Sequence, residues 1–380
     1  MAVHGLIHLI GAAKGLRWAE VDELDGPTSA GAGMVWLAAA GLVLTASVMA
    51  ARRLRGWWLA LAAAALLSQA VVVTSWADAK VGTVVNAVML LAAVYGYRAD
   101  GPASLRAEYA RQAREALTGL QSSGVVTERE LARLPEPLAT YVRRAGAVGR
   151  PKVTSFRATV HGRIRGGPDK AWMSFTGQQV NTFGPDPSRL FFMDATMLGL
   201  PVDILHTFSG GAATMRGRLC SLVPILDASG ADMTRAETVT VFNDLCIMAP
   251  AALPDASVTW DAVDSHAVRG TFGLGHQEVS AVLVFNEDGD LVDFVSEDRL
   301  RASADGESFT RLGWSTPVGQ YAAFEGRLVA TTGQAIWDAP DPEGRFAYLE
   351  FQIDDIHYDV GRQAPSGVRR HLANADHRRN

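Results

Sequence analysis

Apolar and polar positions follow one rule over the first hundred residues and another over the rest. Nearly unbroken apolar runs extend from Met34 to Ala51, Trp57 to Trp76 and Val81 to Tyr97, each close to the roughly 17 to 25 residues that cross a hydrocarbon core as a helix. A further apolar stretch opens the chain from Ala2 to Ala13 and is short for a span. It lacks the basic start and the small-residue cleavage site of a signal peptide. It reads as a first helix that is tilted, interfacial or continued upstream of Met1. The pattern predicts a four-helix transmembrane domain over residues 1–98.

Between residues 99 and 150 the period is helical and the composition charged, which predicts a juxtamembrane linker. Leu105, Tyr109, Ala113, Ala116, Leu117 and Leu120 share a face, with Arg106, Glu108, Arg111, Arg114 and Glu115 between them. Such a helix lies on an anionic leaflet or packs on the soluble domain. Thr127 before Glu128 and Glu130 has the form of a helix start, and Pro135 and Pro137 end that helix. Another helix runs through Tyr141 to Ala145 and stops at Gly146.

Past Lys152 the period becomes two. Alternation marks Phe156–Ile164, Ala171–Thr182, Arg189–Thr196, Val202–Phe208, Ala212–Leu219, Ser257–Val263, Ala267–Phe272, Val279–Phe285, Leu291–Glu297, Phe324–Trp337 and Tyr348–Tyr358. Asp288 and Gly289 mark a tight hairpin. A helical pattern from Asp232 to Met248 interrupts, with Ala236, Val239, Val241, Phe242, Leu245 and Met248 apolar, and Pro250 and Pro254 stop it. Some eleven strands and one helix make an α+β domain over 151–360, a large antiparallel sheet curved into a half-barrel over a central helix, since sheets so wide seldom stay flat. Its concave face is where a small apolar ligand would bind, with Phe191 to Phe208 as candidate wall. Residues 361–380 read as a disordered basic tail, with Arg362, Arg369, Arg370, Arg378 and Arg379 suited to acidic headgroups.

Charge adds an orientation. Arg52, Arg53 and Arg55 follow the second helix, and Arg98, Arg106, Arg111 and Arg114 follow the fourth, whereas Glu20, Asp22, Glu23 and Asp25 follow the first. Basic residues near span ends stay in the cytoplasm, which predicts a multi-pass cell-membrane protein with its soluble domain on the cytoplasmic face. Trp57, Trp58, Trp76, Tyr95 and Tyr97 stand at helix ends, where amphipathic rings meet headgroups. Two cysteines, Cys220 and Cys246, suit a reducing compartment and equally allow one disulfide outside it. A net charge of −5, with no stripe of aromatic and basic residues on the strands, argues against nucleic acid as a partner. Phosphate-loop motifs are absent, and no cofactor is expected.

Candidate chemistry lies around the central helix. Glu237, Asp244, Cys246 and His276 are candidate catalytic groups, in which a Cys, a His and an Asp would serve as nucleophile, base and orienter. Asn243, Trp260, Asp298 and Arg299 are candidate ligand-binding residues, with Arg269 beside them. The plainer readings are an inert buried Cys246 and an Asp244 paired with an arginine across the sheet. His161, His206, His266, His276 and His357 lack metal-ligand spacing. In the membrane half, His4 and His8 share a helix face as a hydrogen-bonding pair or two ligands of a metal or haem. Ser68, Gln69, Thr74 and Asn86 read as interhelical glue, and Asp78 with Lys80 as an ion pair or cap.

The segments FNDLCIMAPAAL (Phe242 to Leu253), VTWDAVD (Val258 to Asp264), VFNEDGDLVDFVSEDR (Val284 to Arg299) and ATTGQAIW (Ala330 to Trp337) resemble, in this order, a family of uncharacterised bacterial membrane-anchored proteins known as a domain of unknown function. HGLIHLIG and SWADAKVGTVVN resemble the N-terminal part of some members. That resemblance implies the architecture and no activity. The strand and helix order is also similar to the lipoprotein-carrier (LolA-like) half-barrel, which implies lipid or acyl-chain binding. The expected function is therefore a membrane-anchored binding module for a lipid or other apolar ligand, with membrane lipids as partners. The alternatives are a membrane-bound hydrolase-type enzyme with its site between the central helix and the sheet, and a structural partner-binding membrane protein.

Overall fold

The computed structural model describes residues 1–21, 29–120, 124–303 and 306–360. The expected acidic loop residues Asp22, Glu23 and Asp25 and the basic tail from residue 361 lie outside the described residues. Contacts divide the chain into two compact units, one of Met1–Glu108 with Cys220–Leu222 and one of Tyr109–Leu219 with Val223 onward.

The first unit is helical: α1 (Ala2–Gly15), α2 (Ala30–Ala51), α3 (Trp57–Thr74), the single turn α4 (Trp76–Ala79) and α5 (Gly82–Asp100). Ser29 caps α2 by accepting a hydrogen bond from the Ala32 amide at 3.2 Å, satisfying one orphan donor of the first turn. Neighbours pack through small residues. A Cβ on Gly33 would stand 2.8 Å from the Gly15 backbone, and one on Gly11 2.3 Å from the Trp36 ring, so α1 and α2 approach as closely as they do only because those positions are glycine. Four long helices are present as expected, yet among the described residues only α2 and α3 are long and apolar enough to cross a membrane. The expectation of four spans is corrected to two candidate spans. At 14 residues α1 is too short, and Thr83, Asn86, Arg98 and Asp100 dilute the apolar run of α5.

The helix α6 (Leu105–Leu117) begins in the first unit and enters the second at Tyr109; in the second unit its Tyr109, Ala113 and Leu117 are buried, with the Tyr109 ring 6.1 Å from Phe192. Of the two placements open to this helix, these contacts put it against the sheet. Two short helices follow, α7 (Glu128–Leu131) and α8 (Glu136–Arg144). Thr127 and Glu130 close a capping box at the start of α7, and Pro137 lies in the first turn of α8, where a missing N–H costs nothing.

The strands are β1 (Ser155–Ile164), β2 (Met173–Thr182), β3 (Ser188–Met197), β4 (Leu200–Ser209), β5 (Ala212–Leu219) and β6 (Val223–Ala228). After α9 (Gly230–Met248) and a 3₁₀ helix (Pro250–Asp255) come β7 (Val258–Ala262), β8 (Ala267–Leu274), β9 (Gln277–Phe285), β10 (Leu291–Ser296), β11 (Leu300–Ala302), β12 (Phe309–Arg311), β13 (Gly313–Ser315), β14 (Val318–Phe324), β15 (Arg327–Asp338) and β16 (Arg345–Tyr358). Fourteen of them form one antiparallel sheet, ordered β6-β5-β4-β3-β2-β1-β16-β15-β13-β10-β9-β8-β7 with β14 on β15, while β11 and β12 pair separately. The sheet does not close into a barrel. Its two edges, β6 and β7, are the strands that flank α9 in sequence, so α9 carries the chain from one edge to the other.

Along the way α9 packs against β4, β5, β9, β10, β11 and β15. Thirteen consecutive residues, Ala236 to Met248, are buried, as in a helix enclosed on all sides. Its last carbonyls, which have no intrahelical donors, are met by tyrosines: Tyr141 Oη donates to Cys246 O and Tyr358 Oη to Met248 O, both at 2.8 Å. Among the described residues the strands exceed the expected eleven by β6, β11, β12, β13 and β14. Pieces of three residues, β11 to β13, are too short to show alternation, and the expected strand from Phe324 to Trp337 is β15 with the last residue of β14, from which a turn at Glu325 and Gly326, both with positive φ, separates it.

Candidate functional site

On β3 the residues Arg189, Phe191, Met193 and Ala195 share one face, and on β2 so do Phe175, Gly177, Gln179 and Asn181. The apolar members pack in the core, which carries the polar members inward. Arg189 thereby meets α9. Its Nε donates to Asp244 Oδ2 at 2.6 Å and its Nη1 to Glu237 Oε2 at 3.0 Å. Gln179 Nε2 and Asn181 Nδ2 also donate to Asp244 Oδ2, at 2.6 and 3.2 Å. Across Glu237, His206 Nδ1 on β4 stands 3.6 Å and Arg299 Nη2 3.8 Å from Oε1, distances of ion pairing rather than hydrogen bonding. Burial pushes the Glu237 carboxyl up, but Arg189, His206 and Arg299 together outweigh it and hold the group far below the usual carboxylate range. Glu237 is therefore held as an anion, with the guanidiniums of Arg189 and Arg299 beside it. The pairing of Asp244 with an arginine across the sheet is what the structure shows.

Arg299 adds a second tie. It donates to Ala236 O and Thr240 Oγ1 on α9, and its guanidinium lies 4.7 Å from the Trp314 ring centroid. Asp298, next to it, accepts from Arg235 and Arg311 at 2.6 Å each and from the Ser280 amide at 2.7 Å. Burial raises its carboxyl, and the Ser280 amide and Arg235 outweigh that and leave it below its ordinary range. Trp260 on β7 packs against Phe242 with ring centroids 5.9 Å apart and planes tilted by 48°. The Asn243 side chain is buried, and its Nδ2 has no partner. Asp244 and Glu237 are thus brought together, with Arg299 reaching Glu237, while Asp298 forms a separate hub.

Cys246 is completely buried in α9, and burial pushes its thiol well above the ordinary value. His276 is exposed at the β8–β9 turn and makes no hydrogen bond to Cys246, Asp244 or Glu237. The nucleophile, base and orienter expected from sequence are not assembled. Among the described residues no three His, Cys, Asp or Glu side chains group as metal ligands. Arg189, Gln179, Asn181 and His206 are the partners that sequence reading missed. The signal was their phase: each stands on the inward face of an alternating strand.

Open space lies elsewhere, at one end of α9. A cavity of about 190 Å³ is lined by Val153 and Thr154 at the start of β1, Phe183, Pro185 and Pro187 in the β2–β3 turn, Val241 and Leu245 of α9, Ala252 and Ala256, and Phe272 and Leu274 of β8. Lys152 and Asp255 complete its polar side, with Lys152 Nζ 2.7 Å from Glu130 Oε1 and 2.8 Å from Asp255 Oδ1. The expected wall from Phe191 to Phe208 does not line this cavity. Phe191, Met193, Val202 and Phe208 are packed in the core that α9 fills.

A model of a family of unknown function, DUF6544, matches residues 124–351. The chain belongs to this family. The DUF6544 match covers α7, α8, every strand from β1 to β15, α9 and the first half of β16, and so contains both the ion cluster and the cavity. No curated protein matches the chain. Among solved structures it is similar to a DUF1329 family protein from Desulfovibrio piger, with 15% identity over 60% of this chain and 94% of that one, and a TM-score of 0.34. It is also similar to a domain named for outer membrane lipoprotein sorting from Vibrio parahaemolyticus (12% identity, 55% and 87%, TM-score 0.32) and to a LolA superfamily protein from Nitrosomonas europaea (13% identity, 60% and 94%, TM-score 0.31).

Proposed function

We propose that this DUF6544 protein is a membrane-anchored binding module that takes an apolar chain into the cavity at the end of α9. The carrying observation is the cavity itself, apolar where Val241, Leu245, Phe183 and Phe272 line it and polar at Lys152 and Asp255. That division suits an amphiphile with its tail inside and its head at the rim. The volume, below the roughly 300 Å³ at which drug-sized pockets begin, sets the occupant as a short apolar chain or the end of a longer one, such as an acyl or isoprenoid tail. A second reading, as a hydrolase using Glu237, Asp244, Cys246 or His276, has less support, since Glu237 and Asp244 meet only through Arg189 while Cys246 is buried and His276 is exposed with no hydrogen bond to them. Equilibrium titration of the purified full-length protein with fluorescent fatty acids of graded length tests the proposal. Saturable uptake favouring short chains is expected, and no uptake at any length contradicts it.

Membrane lipids are the natural source of such a chain. Support for a bilayer setting comes from the first unit's reversed polarity: Leu6, Ile7, Leu59, Leu66, Val84, Val88 and Leu91 are exposed, while His4, His8, Ser68 and Asn86 are buried, as in a bundle whose solvent is lipid. On this reading α2 and α3 cross the membrane, and the arginines at 52, 53 and 55 between them mark a cytoplasmic side. Protease protection of each loop in sealed vesicles tests the topology, and cleavage at Arg52–Arg55 from the outside contradicts it.

A further inference from the structure

The first unit buries a continuous chain of polar side chains that the binding reading does not use. His4 and His8, four residues apart on α1, turn toward the same hydroxyl: Ser68 Oγ of α3 is 2.9 Å from His4 Nε2 and 2.7 Å from His8 Nε2. From His4 the chain continues to Asn86 Oδ1 of α5 at 3.1 Å, from Asn86 Nδ2 to Gln69 Oε1 at 2.9 Å, and from Gln69 Nε2 to Thr83 Oγ1 at 3.1 Å. His4, His8, Ser68 and Asn86 are all more than nine-tenths buried. The sequence reading of interhelical glue accounts for their pairing. It does not account for His8 Nδ1, which is buried with no partner, in a setting where an unsatisfied polar group is costly.

The direction of the bonds fixes the hydrogens. Asn86 donates through Nδ2 to Gln69, so its Oδ1 accepts, and His4 Nε2 carries the hydrogen that faces it. Ser68 Oγ shares that one His4 hydrogen with Asn86 Oδ1 in a bifurcated bond and donates its own hydrogen to His8 Nε2. Neutral His8 must hold its hydrogen on Nδ1, the unpartnered atom.

We propose that His4, Ser68 and His8 form a proton relay inside the helical unit. A proton taken from water onto His4 Nδ1 makes that ring an imidazolium. The Nε2 hydrogen of His4 passes to Ser68 Oγ as the Ser68 hydrogen passes to His8 Nε2. His4 is again neutral, and His8 becomes the imidazolium and gives its Nδ1 hydrogen to an acceptor water. One proton enters and one leaves; every electron pair stays on its atom. Asn86, holding His4 at Nε2, is a positioning residue. The groups that face the pair are Ser68 and Gln69 from α3, Asn86 and Thr83 from α5, and Trp36 from α2, whose ring centroid is 5.2 Å from that of His8. The Met1 amino group acts on His4 through space. Among the described residues no carboxylate, lysine or arginine is bonded to either imidazole, so the relay has no fixed counter-ion to trap the charge on one ring.

Full-length protein with ¹⁵N-labelled histidine, in lipid nanodiscs, gives the test by nitrogen NMR. The relay predicts that two of the nine histidines show Nδ1 and Nε2 shifts averaged between tautomers and moving together with pH. Ser68→Ala should abolish the averaging and leave the other seven signals in place, which also reports that the protein is folded. Averaging that persists in Ser68→Ala overturns the proposal. So do fixed single tautomers for His4 and His8 in the unaltered protein, a result that needs no variant to fold.

Discussion

Replacing Arg189 by Met would leave Glu237 and Asp244 as buried anions that have lost their shared guanidinium. Gln179, Asn181 and the more distant His206 and Arg299 cannot replace it, so Arg189→Met should cost about 3–5 kcal/mol, the usual penalty for breaking a buried pair from one side. Removing both charges as well, in Arg189→Met with Glu237→Gln and Asp244→Asn, should recover most of that loss. Denaturant unfolding followed by tryptophan fluorescence checks both, and a single-variant loss under about 1 kcal/mol would contradict the cluster's role. Glu130 gives a pH dependence. Lys152 first, then the Thr127 hydroxyl and amide, hold its carboxyl at about 2, below the ordinary 4.5. A depressed folded value contributes stability that is fully present above the ordinary value and is lost as pH falls from there through about 2. Lys152→Met should therefore flatten the acid limb of a stability–pH profile and leave the neutral limb nearly parallel. At this scale the sequence showed the anions on α9 and an arginine as the default partner of Asp244, but not which one. Arg189 and Gln179 are polar residues in inward phase, and a polar residue in a strand is read by default as facing water.

α9 was legible almost to its ends, expected over Asp232 to Met248 and found over Gly230–Met248, because a long periodic run closed by prolines leaves few alternatives. The capping box at Thr127 was legible for the same local reason. What stayed hidden was how α9 ends: its C-terminal carbonyls are satisfied from α8 and β16, over a hundred residues away in either direction. Tyr141→Phe and Tyr358→Phe each strand a buried carbonyl and should cost about 1–3 kcal/mol, read from thermal unfolding, with near-additive loss in the double variant if the two carbonyls are independent. A neutral effect in both would mean that α9 does not depend on these ties. The turn at Glu325 and Gly326 lies inside the expected strand from Phe324; it sets Phe324 opposite Arg327 and so shifts the phase by one position, a step too small to read from alternation.

For the whole molecule, the two regimes of hydrophobic pattern correctly foretold a helical part and a wide antiparallel sheet enclosing a helix. The number of spans was overcounted, since apolar length in α1 and α5 falls short of what crossing requires. The ligand site was also misplaced. Sequence can show that Phe191 and Phe208 face inward, but whether an inward face borders empty space depends on how fully a distant helix fills the concavity; Phe191 and Phe208 are packed in the core with α9, and the cavity lies at one end of that helix. The cavity there is the central claim, and native mass spectrometry with lipid extraction on full-length protein purified from membranes tests it most directly. The half-buried Ala256 on its lining allows a comparison in which Ala256→Trp puts a ring into open volume rather than into packed core. The account predicts a discrete apolar molecule bound to the unaltered protein and its loss from Ala256→Trp. An empty unaltered protein, or equal occupancy in both, would contradict it.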